Sequence, residues 1–161
     1  MRIGFASDIH QLVPGRTLVL AGVKIDAPYG ELAHSDGDVV YHALAEAILG
    51  ALALGDLGDH FPDNDESTLN LDSEIILQKA GDLMSLEGYR VGNIDISIYL
   101  EAPKIGQLKE AMRSNIARVL KTDIKNVSIK MCTNEGLDSI GHKLATKADA
   151  VVLLEKNSCT I

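Results

Sequence analysis

The sequence predicts an α/β (α+β) fold: a single domain with a mixed β-sheet, helices packed on one face of that sheet, and a small β-hairpin. Three observations predict it. The chain of 161 residues is long enough for one compact domain and short for two. Hydrophobic residues make up 46% of it but aromatic residues only 4%, so Leu, Ile, Val and Ala must fill the core. Segments with helical spacing of apolar residues are interspersed with segments in which apolar residues alternate with polar ones.

The residue pattern of the N-terminal part of the chain predicts strands. Residues 2–9 indicate a first strand, followed by a turn at Pro14-Gly15. Residues 17–21 and 23–25 then predict a β-hairpin, and Pro28-Tyr29-Gly30 predicts a loop.

A strongly apolar helix is predicted next. Ser35 or Asp36 is its expected N-cap, the helix begins near residues 37–38, and Gly55 is its expected stop. Its apolar positions recur with helical spacing at Val39, Val40, Leu44, Ala47, Ile48, Ala51 and Leu52. Residues 56–65 predict a loop.

The second half predicts two further helices and three strands. Helices are expected from residue 72 or 73 to 86, with Ser73 as cap and Gly88 as terminator, and over 105–120. Strands are expected at residues 91–100, 127–131 and 148–154, and a polar loop at 132–139. Two β-α-β passages can be drawn, one between the first two of these strands and one between the last two.

Composition restricts the function. The net charge of −8 argues against nucleic-acid binding, which depends on Lys and Arg. No signal peptide and no apolar run long enough for a membrane span is visible. Cys132 and Cys159 form no CxxC pattern, so we expect a reduced, cytoplasmic protein. The expected domain covers residues 1–156, and residues 157–161 are expected to be a frayed tail.

Asp8 and His10 are candidate metal ligands. Alternation along a strand places both on one face, about 7 Å apart, and a third ligand would complete a zinc site with an open position. His42 is the natural third ligand, with Asp38 or Glu46 holding its far ring nitrogen. The residues leave alternatives open: a surface Asp with a backbone-bonded His, a salt-bridged helix His, or a ligand set of His34, Asp36 and His60.

A second polar group lies at a predicted strand end. Thr133, Asn134 and Glu135 can hold phosphate oxygens and a harder cation such as Mg²⁺, or form an ordinary polar turn. Lys104 either contacts phosphate or is solvated. No motif for nucleophilic serine or cysteine catalysis occurs.

Taken together, these segments resemble the 2-C-methyl-D-erythritol 2,4-cyclodiphosphate synthase family. The resemblance covers essentially the whole chain in the expected order, and AHSDGDVVYHA at residues 33–43 is its most specific part. The other matching segments are DIH at 8–10, ALGDLG at 53–58, FPD at 61–63, GY at 88–89, GNID at 92–95, APK at 102–104 and TNE at 133–135.

The resemblance implies an enzyme of the non-mevalonate isoprenoid pathway. It would convert 4-diphosphocytidyl-2-C-methyl-D-erythritol 2-phosphate into the cyclic diphosphate and release CMP. It also implies a homotrimer with active sites between subunits, one Zn²⁺ per site, and Mg²⁺ or Mn²⁺ on the substrate diphosphate.

The same resemblance implies roles for individual residues. Asp8, His10 and His42 would bind zinc, Glu135 would hold Mg²⁺ or Mn²⁺, and His34 and Thr133 would be catalytic. The implied substrate contacts are Asp8, Ile9, His10, His34, Ser35, Asp56, Leu57, Gly58, Phe61, Pro62, Asp63, Asn64, Asp65, Leu100, Glu101, Ala102, Pro103, Lys104, Ile105, Gly106, Met131, Cys132, Thr133, Asn134 and Glu135.

The chain departs from the family pattern in two places. Ala6 and Ser7 stand where the family has a glycine and an aromatic residue. Ser139 and His142 fall where the usual pattern is interrupted, so the resemblance carries no firm substrate contact there. From the residues alone, a metal-dependent phosphohydrolase using zinc-bound water, or a metal-binding structural module, remain competing hypotheses.

Overall fold

The computed structural model describes residues 1–62 and 71–157. The strands in these ranges are β1 (Arg2–Pro14), β2 (Leu18–Leu20), β3 (Val23–Ile25), β4 (Tyr29–Glu31), β5 (Tyr89–Tyr99), β6 (Val127–Cys132) and β7 (Ala145–Lys156). The helices are α1 (Val39–Leu52), α2 (Leu57–His60), α3 (Ser73–Leu86), α4 (Lys109–Val119) and α5 (Asp138–Gly141), with 3₁₀ turns at Gly106–Leu108 and Ile124–Asn126.

Five strands form a mixed sheet in the order β4-β1-β7-β5-β6. Only β5 and β6 run parallel, and the other neighbours are antiparallel. The strands β2 and β3 form a separate two-stranded sheet. The predicted mixed sheet and small hairpin are therefore confirmed.

The long helices lie on one face of the five-stranded sheet, as predicted. In β1 the even-numbered residues face α1, and the approach is closest at Gly4, where an added Cβ would lie 1.9 Å from the carbonyl oxygen of Ala47. The helix α3 packs against α1 and β5, and α4 packs against β6. Leu, Ile, Val and Ala dominate the core between these layers, as the scarcity of aromatic residues predicts.

The opposite face of the sheet is covered by no described helix. The odd-numbered residues of β1 point to it, and Ile3, Phe5 and Ile9 are 72%, 65% and 53% exposed. On the neighbouring strand, Val151 pairs with Phe5 and Leu153 pairs with Ile3. We call the side chains of Ile3, Phe5, Val151 and Leu153 the open-face patch.

Several strand bounds differ from the sequence prediction. The strand β1 continues to Pro14, so His10 lies inside it rather than after it. Tyr29 and Gly30, which the sequence predicts as part of a loop with Pro28, belong to β4, because this strand pairs with the extended end of β1 from Leu12↔Glu31 to Pro14↔Tyr29. These strands are longer than predicted because they form hydrogen bonds with strands that are distant in sequence.

The first helix is capped differently from the prediction. Its N-cap is Asp38, whose Oδ1 accepts hydrogen bonds from the N–H groups of Val40 and Tyr41, both at 3.1 Å. The same carboxylate accepts from the N–H groups of Ala21 and Gly22 in the β2–β3 turn. The helix ends before Ala53, which is left-handed (φ 59°), and not at Gly55.

Two other helix predictions also need correction. The N-cap of α3 is Asp72, which accepts from the N–H of Glu74 at 2.8 Å, and not Ser73. The expected helix over 105–120 is shorter, since a 3₁₀ turn at Gly106–Leu108 precedes α4. Within the expected loop at 56–65, residues 57–60 form α2, and residues 63–65 lie outside the described ranges.

The first predicted β-α-β passage is confirmed, since α4 connects the parallel strands β5 and β6. The second is wrong, because β7 runs antiparallel to β5 and lies between β5 and β1. The connection from β6 to β7 contains only the four-residue helix α5, and the two strands are not neighbours in the sheet, whereas a parallel crossover usually carries a full helix. None of the described helices is long and apolar enough to cross a membrane.

The predicted tail lies largely outside the described residues. Its first residue, Asn157, donates its N–H to the carbonyl of Gly88 at 2.8 Å. Residues 158–161, including Cys159, lie outside the described ranges.

Candidate active site

Asp8, His10 and His42 meet where α1 crosses β1. Alternation along β1 turns Asp8 and His10 toward the helix layer, and His42 projects from the first turns of α1 just above them. His10 Nε2 lies 3.1 Å and His42 Nδ1 lies 3.5 Å from Asp8 Oδ2. One potential ligand atom from each residue lies within 4.8 Å of the others. The predicted ligand set is therefore brought together.

The donor set fits a zinc ion. Ligands that surround zinc tetrahedrally at about 2 Å are separated from one another by about 3.3 Å, close to the two distances measured from the Asp8 oxygen. Two imidazoles and one carboxylate leave a fourth position for substrate. In the described ranges, no other group of three such side chains has this geometry, so the alternative set of His34, Asp36 and His60 is not supported. His60 Nε2 instead lies 2.9 Å from the Leu54 carbonyl oxygen.

The electrostatics of the cluster favour charged groups. Burial alone raises the pKa of the Asp8 carboxyl, but hydrogen bonds and charges from His10 and His42 outweigh this and lower it below its usual range. Burial alone lowers the pKa of His10, but Asp8 and the buried Glu31 outweigh it and raise the value to about 10. Burial raises the pKa of Glu31 to about 7, against the opposing effect of His10. A metal ion would therefore replace a proton on His10.

The outer nitrogens of both imidazoles have partners. His10 Nδ1 lies 2.8 Å from the carbonyl oxygen of Gly37. His42 Nε2 lies 2.9 Å from Ser73 Oγ and 3.1 Å from Ser35 Oγ. A carbonyl oxygen only accepts hydrogen bonds, so the Gly37 contact assigns the proton of His10 to Nδ1 and leaves Nε2 free for a metal.

The predicted bracing of His42 by Asp38 or Glu46 is wrong. Asp38 precedes the helix and its carboxylate is used by four backbone N–H groups. Glu46 accepts a hydrogen bond from the N–H of Leu57 at 2.9 Å, at the start of α2. The sequence did not predict Ser73 as a site residue. A serine at a helix start is interpreted as an N-cap, and no local sequence pattern indicates that Ser73 lies next to His42.

A cavity of about 390 Å³ opens beside the cluster. Its lining residues are His10, Leu32, Ala33, His34, Ser35, His42, Leu57, Gly58, Phe61, Leu71 and Ile76. Besides the candidate metal ligands, five predicted substrate contacts line this cavity, at positions 34, 35, 57, 58 and 61.

Other predicted contacts are placed differently. The side chain of Ile9 points to the face of the sheet opposite to Asp8 and His10, because neighbouring strand residues alternate. Asp56 caps α2 by accepting from the N–H of Asp59 at 3.1 Å. Pro62 is exposed at the end of the described range, and Asp63, Asn64 and Asp65 lie outside it.

A second cavity of about 410 Å³ lies beyond the ends of the parallel strands β5 and β6. Its lining residues are Leu100, Glu101, Pro103, Lys104, Ile105, Gly106, Gln107, Met131, Cys132 and Thr133. Ala102 is adjacent, and its carbonyl accepts a hydrogen bond from the Tyr29 hydroxyl. Nine of the ten lining residues are predicted substrate contacts.

The polar loop after β6 is organised by its own side chains. Thr133 donates its hydroxyl to Glu135 Oε1 at 2.8 Å, and the N–H of Asn134 donates to Glu101 at 3.1 Å. Ser139 and His142 are exposed at α5. The two cavities have no lining residue in common, and Glu135 lines neither of them.

Comparisons with known proteins agree on one family. The YgbB family model matches residues 1–155. The curated 2-C-methyl-D-erythritol 2,4-cyclodiphosphate synthase of Brachyspira hyodysenteriae is 47% identical over 97% of this chain and 99% of its own length. The synthase of Clostridioides difficile is 47% identical over 96% of both chains.

Solved structures give the same result. A structure described as IspF of Plasmodium falciparum in complex with CDP matches with a TM-score of 0.86 and 38% identity, over 98% of this chain and 97% of its own. The bifunctional IspDF of Campylobacter jejuni matches with a TM-score of 0.92 and 40% identity, over 96% of this chain. This chain spans only 42% of that bifunctional protein.

Proposed function

Because this chain belongs to the YgbB family, we propose that it catalyses the reaction for which its curated relatives are named, the synthesis of 2-C-methyl-D-erythritol 2,4-cyclodiphosphate. The observation that carries the proposal is the cluster of Asp8, His10 and His42 beside a cavity lined by residues of the specific AHSDGDV segment. The substrate is 4-diphosphocytidyl-2-C-methyl-D-erythritol 2-phosphate, the second product is CMP, and the enzyme is a phosphorus-oxygen lyase.

The reaction needs no nucleophile from the protein. An oxygen of the substrate's own 2-phosphate attacks the β-phosphorus, a new P–O bond closes the ring, and the bond from the β-phosphorus to the bridging oxygen of CMP breaks. Catalysis then consists of holding the attacking oxygen in line and neutralising phosphate charge. A reaction without a protein nucleophile agrees with the absence of nucleophilic motifs from the sequence. Charge neutralisation by bound cations would allow an acidic protein to bind an anionic substrate.

Cations supply the positive charge. The donor set of Asp8, His10 and His42 fits Zn²⁺, and the carboxylate of Glu135 suits Mg²⁺ or Mn²⁺ on the substrate diphosphate; when bound, these ions withdraw charge from the phosphate oxygens. His34 lines the cavity beside the Asp8-His10-His42 cluster, and its proposed role is to hold the transferring phosphate from that side. Thr133 lines the second cavity, and the proposed role of Thr133 from a neighbouring subunit is to hold the phosphate from the opposite side.

The second cavity is proposed to bind the cytidine part of the substrate. A relative has been solved as a CDP complex, and the cavity lies where ligands bind in sheets with parallel strands, outside the carboxyl ends of those strands. The substrate contacts inferred from the sequence remain proposals, including Ile9 and the residues at positions 63–65. Ser139 and His142 are not included.

We infer a homotrimer in which each active site combines residues of two subunits. The separate linings of the two cavities support this, because Thr133 and Lys104 line one cavity and His10, His34 and His42 line the other. In the proposed trimer a neighbouring subunit supplies Thr133, Lys104 and Glu135 to the cluster of Asp8, His10 and His42. The open-face patch supports association of the sheets, since exposed contiguous apolar surface marks interaction sites. The 1–156 domain and a cytoplasmic location stay as predictions from the sequence.

Product analysis tests the reaction. Incubation of the purified protein with the cytidyl substrate, Zn²⁺ and Mg²⁺ is expected to give CMP and the cyclic diphosphate, seen by ³¹P NMR. Linear phosphates without the cyclic product would identify a phosphohydrolase that uses zinc-bound water instead.

Variants connect the reaction to the cluster. His42→Ala is expected to lower the rate of CMP release at least 100-fold, whereas His60→Gln, a histidine outside the proposed machinery, retains it. Equal rates in His42→Ala and the unchanged protein would make the cluster a structural metal site at most.

A further inference from the structure

His42 is connected to a carboxylate through a serine from another helix. His42 Nε2 lies 2.9 Å from Ser73 Oγ, and Ser73 Oγ lies 2.5 Å from Asp36 Oδ1. Ser73 is completely buried at the start of α3. The side chain therefore lies between α1 and the loop that precedes it, away from the helix cap that Asp72 provides.

The direction of these hydrogen bonds follows from what each group can do. An ionised carboxylate only accepts, so the hydroxyl proton of Ser73 is donated to Asp36. The oxygen of Ser73 is then left as an acceptor, and the proton it accepts must be on His42 Nε2. With its proton on Nε2, His42 has the lone pair of Nδ1 free, and Nδ1 is the atom that lies 3.5 Å from Asp8 Oδ2.

Ser35 is a second hydroxyl beside His42, and its Oγ lies 3.4 Å from Ser73 Oγ. Its Oγ accepts the N–H of Gly37 at 3.1 Å and lies 3.1 Å from His42 Nε2, within reach of the same proton. Asp36 Oδ1 also lies 3.3 Å from the N–H groups of Asp38 and Ser73. The Asp36 carboxylate is thus held by backbone N–H groups from two segments, the one that precedes α1 and the start of α3.

We propose that Ser73 and Asp36 are positioning residues for the metal ligand His42, acting as a carboxylate–serine–histidine relay that fixes the tautomer and the ring orientation of the imidazole. The inference rests on the proposed metal centre. Partners that hold the outer nitrogen of a histidine ligand typically change metal affinity 10- to 100-fold. The relay also ties the start of α3 to the metal site, although Ser73 itself touches neither metal nor substrate.

Zinc affinity of the Ser73→Ala variant tests the proposal. We expect the dissociation constant, measured by competition with a chromophoric chelator, to rise 10- to 100-fold. The matched control is Ser85→Ala, on the same helix, where the hydroxyl donates to the Gly81 carbonyl at 3.0 Å far from the cluster. Its zinc affinity should equal that of the unchanged protein. Equal affinity in Ser73→Ala would overturn the proposal while the metal centre itself remains.

Thermal unfolding separates positioning from folding. A purely structural role of Ser73 would lower the Tm of metal-free and zinc-loaded protein equally. The relay predicts instead that the rise in Tm caused by zinc becomes smaller, because that rise depends on the dissociation constant. A zinc-induced rise equal to that of the unchanged protein would contradict it.

A second variant and a spectrum cover the case in which Ser73→Ala folds poorly. Asp36→Asn keeps an acceptor oxygen but removes the charge, so we expect a smaller loss of zinc affinity and an altered visible spectrum of the Co²⁺-loaded protein. An unchanged affinity and spectrum would remove Asp36 from the relay. If the unchanged protein binds neither Zn²⁺ nor Co²⁺, the proposed metal centre fails, and the relay with it.

Discussion

At the scale of the residue, His10 shows how a few contacts set chemistry. It lies between two carboxylates, 3.1 Å from Asp8 and 3.6 Å from the buried Glu31. These charges overcome the effect of burial and keep the imidazole protonated in the absence of metal. The same carboxylates therefore prepare a site that attracts a divalent cation.

The raised pKa of His10 predicts how the stability of the metal-free protein depends on pH. Because the folded-state pKa is about 10 against an ordinary value of 6.5, this stabilisation is complete below pH 6.5 and is lost as the pH rises through 10. The raised pKa of Glu31 acts in the same direction, but mainly between pH 4.5 and 7. The window from pH 7 to 10 therefore isolates His10.

We expect the free energy of unfolding of the metal-free protein, from urea titrations, to fall between pH 7 and 10. In His10→Gln this fall should be smaller, since the variant has no group to deprotonate at that position. Parallel pH profiles for the two proteins would contradict the assigned role of the carboxylates.

At the scale of the element, the position of α1 on β1 determines the geometry of the cluster of Asp8, His10 and His42. The helix carries His42 and the strand carries Asp8 and His10, so the distance between these two elements sets the distance between ligands. The close approach of α1 to β1 is possible because Gly4 has no side chain. Any side chain at this position would collide with the backbone of α1 at Ala47.

Gly4→Ala is expected to destabilise the protein by about 1–3 kcal/mol, because the added methyl group forces α1 away from β1. It should also weaken zinc binding, since His42 moves with the helix. Chemical denaturation and chelator competition measure the two effects.

The matched control is Gly50→Ala on the same helix, where an added Cβ meets nothing within 4 Å. Alanine is the better helix former, so this variant should gain roughly 0.5–1 kcal/mol. Destabilisation of both variants to the same extent would show that the close contact at Gly4 is not the cause.

At the scale of the whole molecule, one face of the sheet carries the site and the other is left open. The helix layer covers the side with Asp8 and His10, and the open-face patch lies on the other side. An exposed apolar face on a sheet is typical of an interaction surface, which agrees with the proposed trimer.

The trimer predicts a mass in solution of three times the 17.3 kDa of one chain, measurable by light scattering after size exclusion. Phe5→Lys should dissociate it, because a charge then replaces the apolar contact. The single chains should still bind zinc, since all three ligands belong to one chain, but they should lose CMP release.

Leu86→Lys controls for the added charge, because Leu86 is 80% exposed at the end of α3, away from the open-face patch. This variant should keep both the mass and the activity. A Phe5→Lys variant that releases CMP as a single chain would contradict the shared active site.

Local patterns were enough to predict much of this protein. Alternation placed Asp8 and His10 on one face of a strand, helical spacing located α1 with His42, and the resemblance to a known family supplied the reaction. These features depend on residues that are close in sequence, so their periodicity is visible without the fold.

What only the tertiary structure decided depends on contacts between distant segments. The outer nitrogen of His42 contacts the hydroxyl of Ser73, 31 positions away, and neither of the carboxylates one helical turn from it. The place of β7 between β1 and β5, and the use of Asp38 to hold the β2–β3 turn, likewise came from long-range pairing. Sequence periodicity determines which face of an element is buried, but the element that packs against that face is chosen by the free energy of the whole fold.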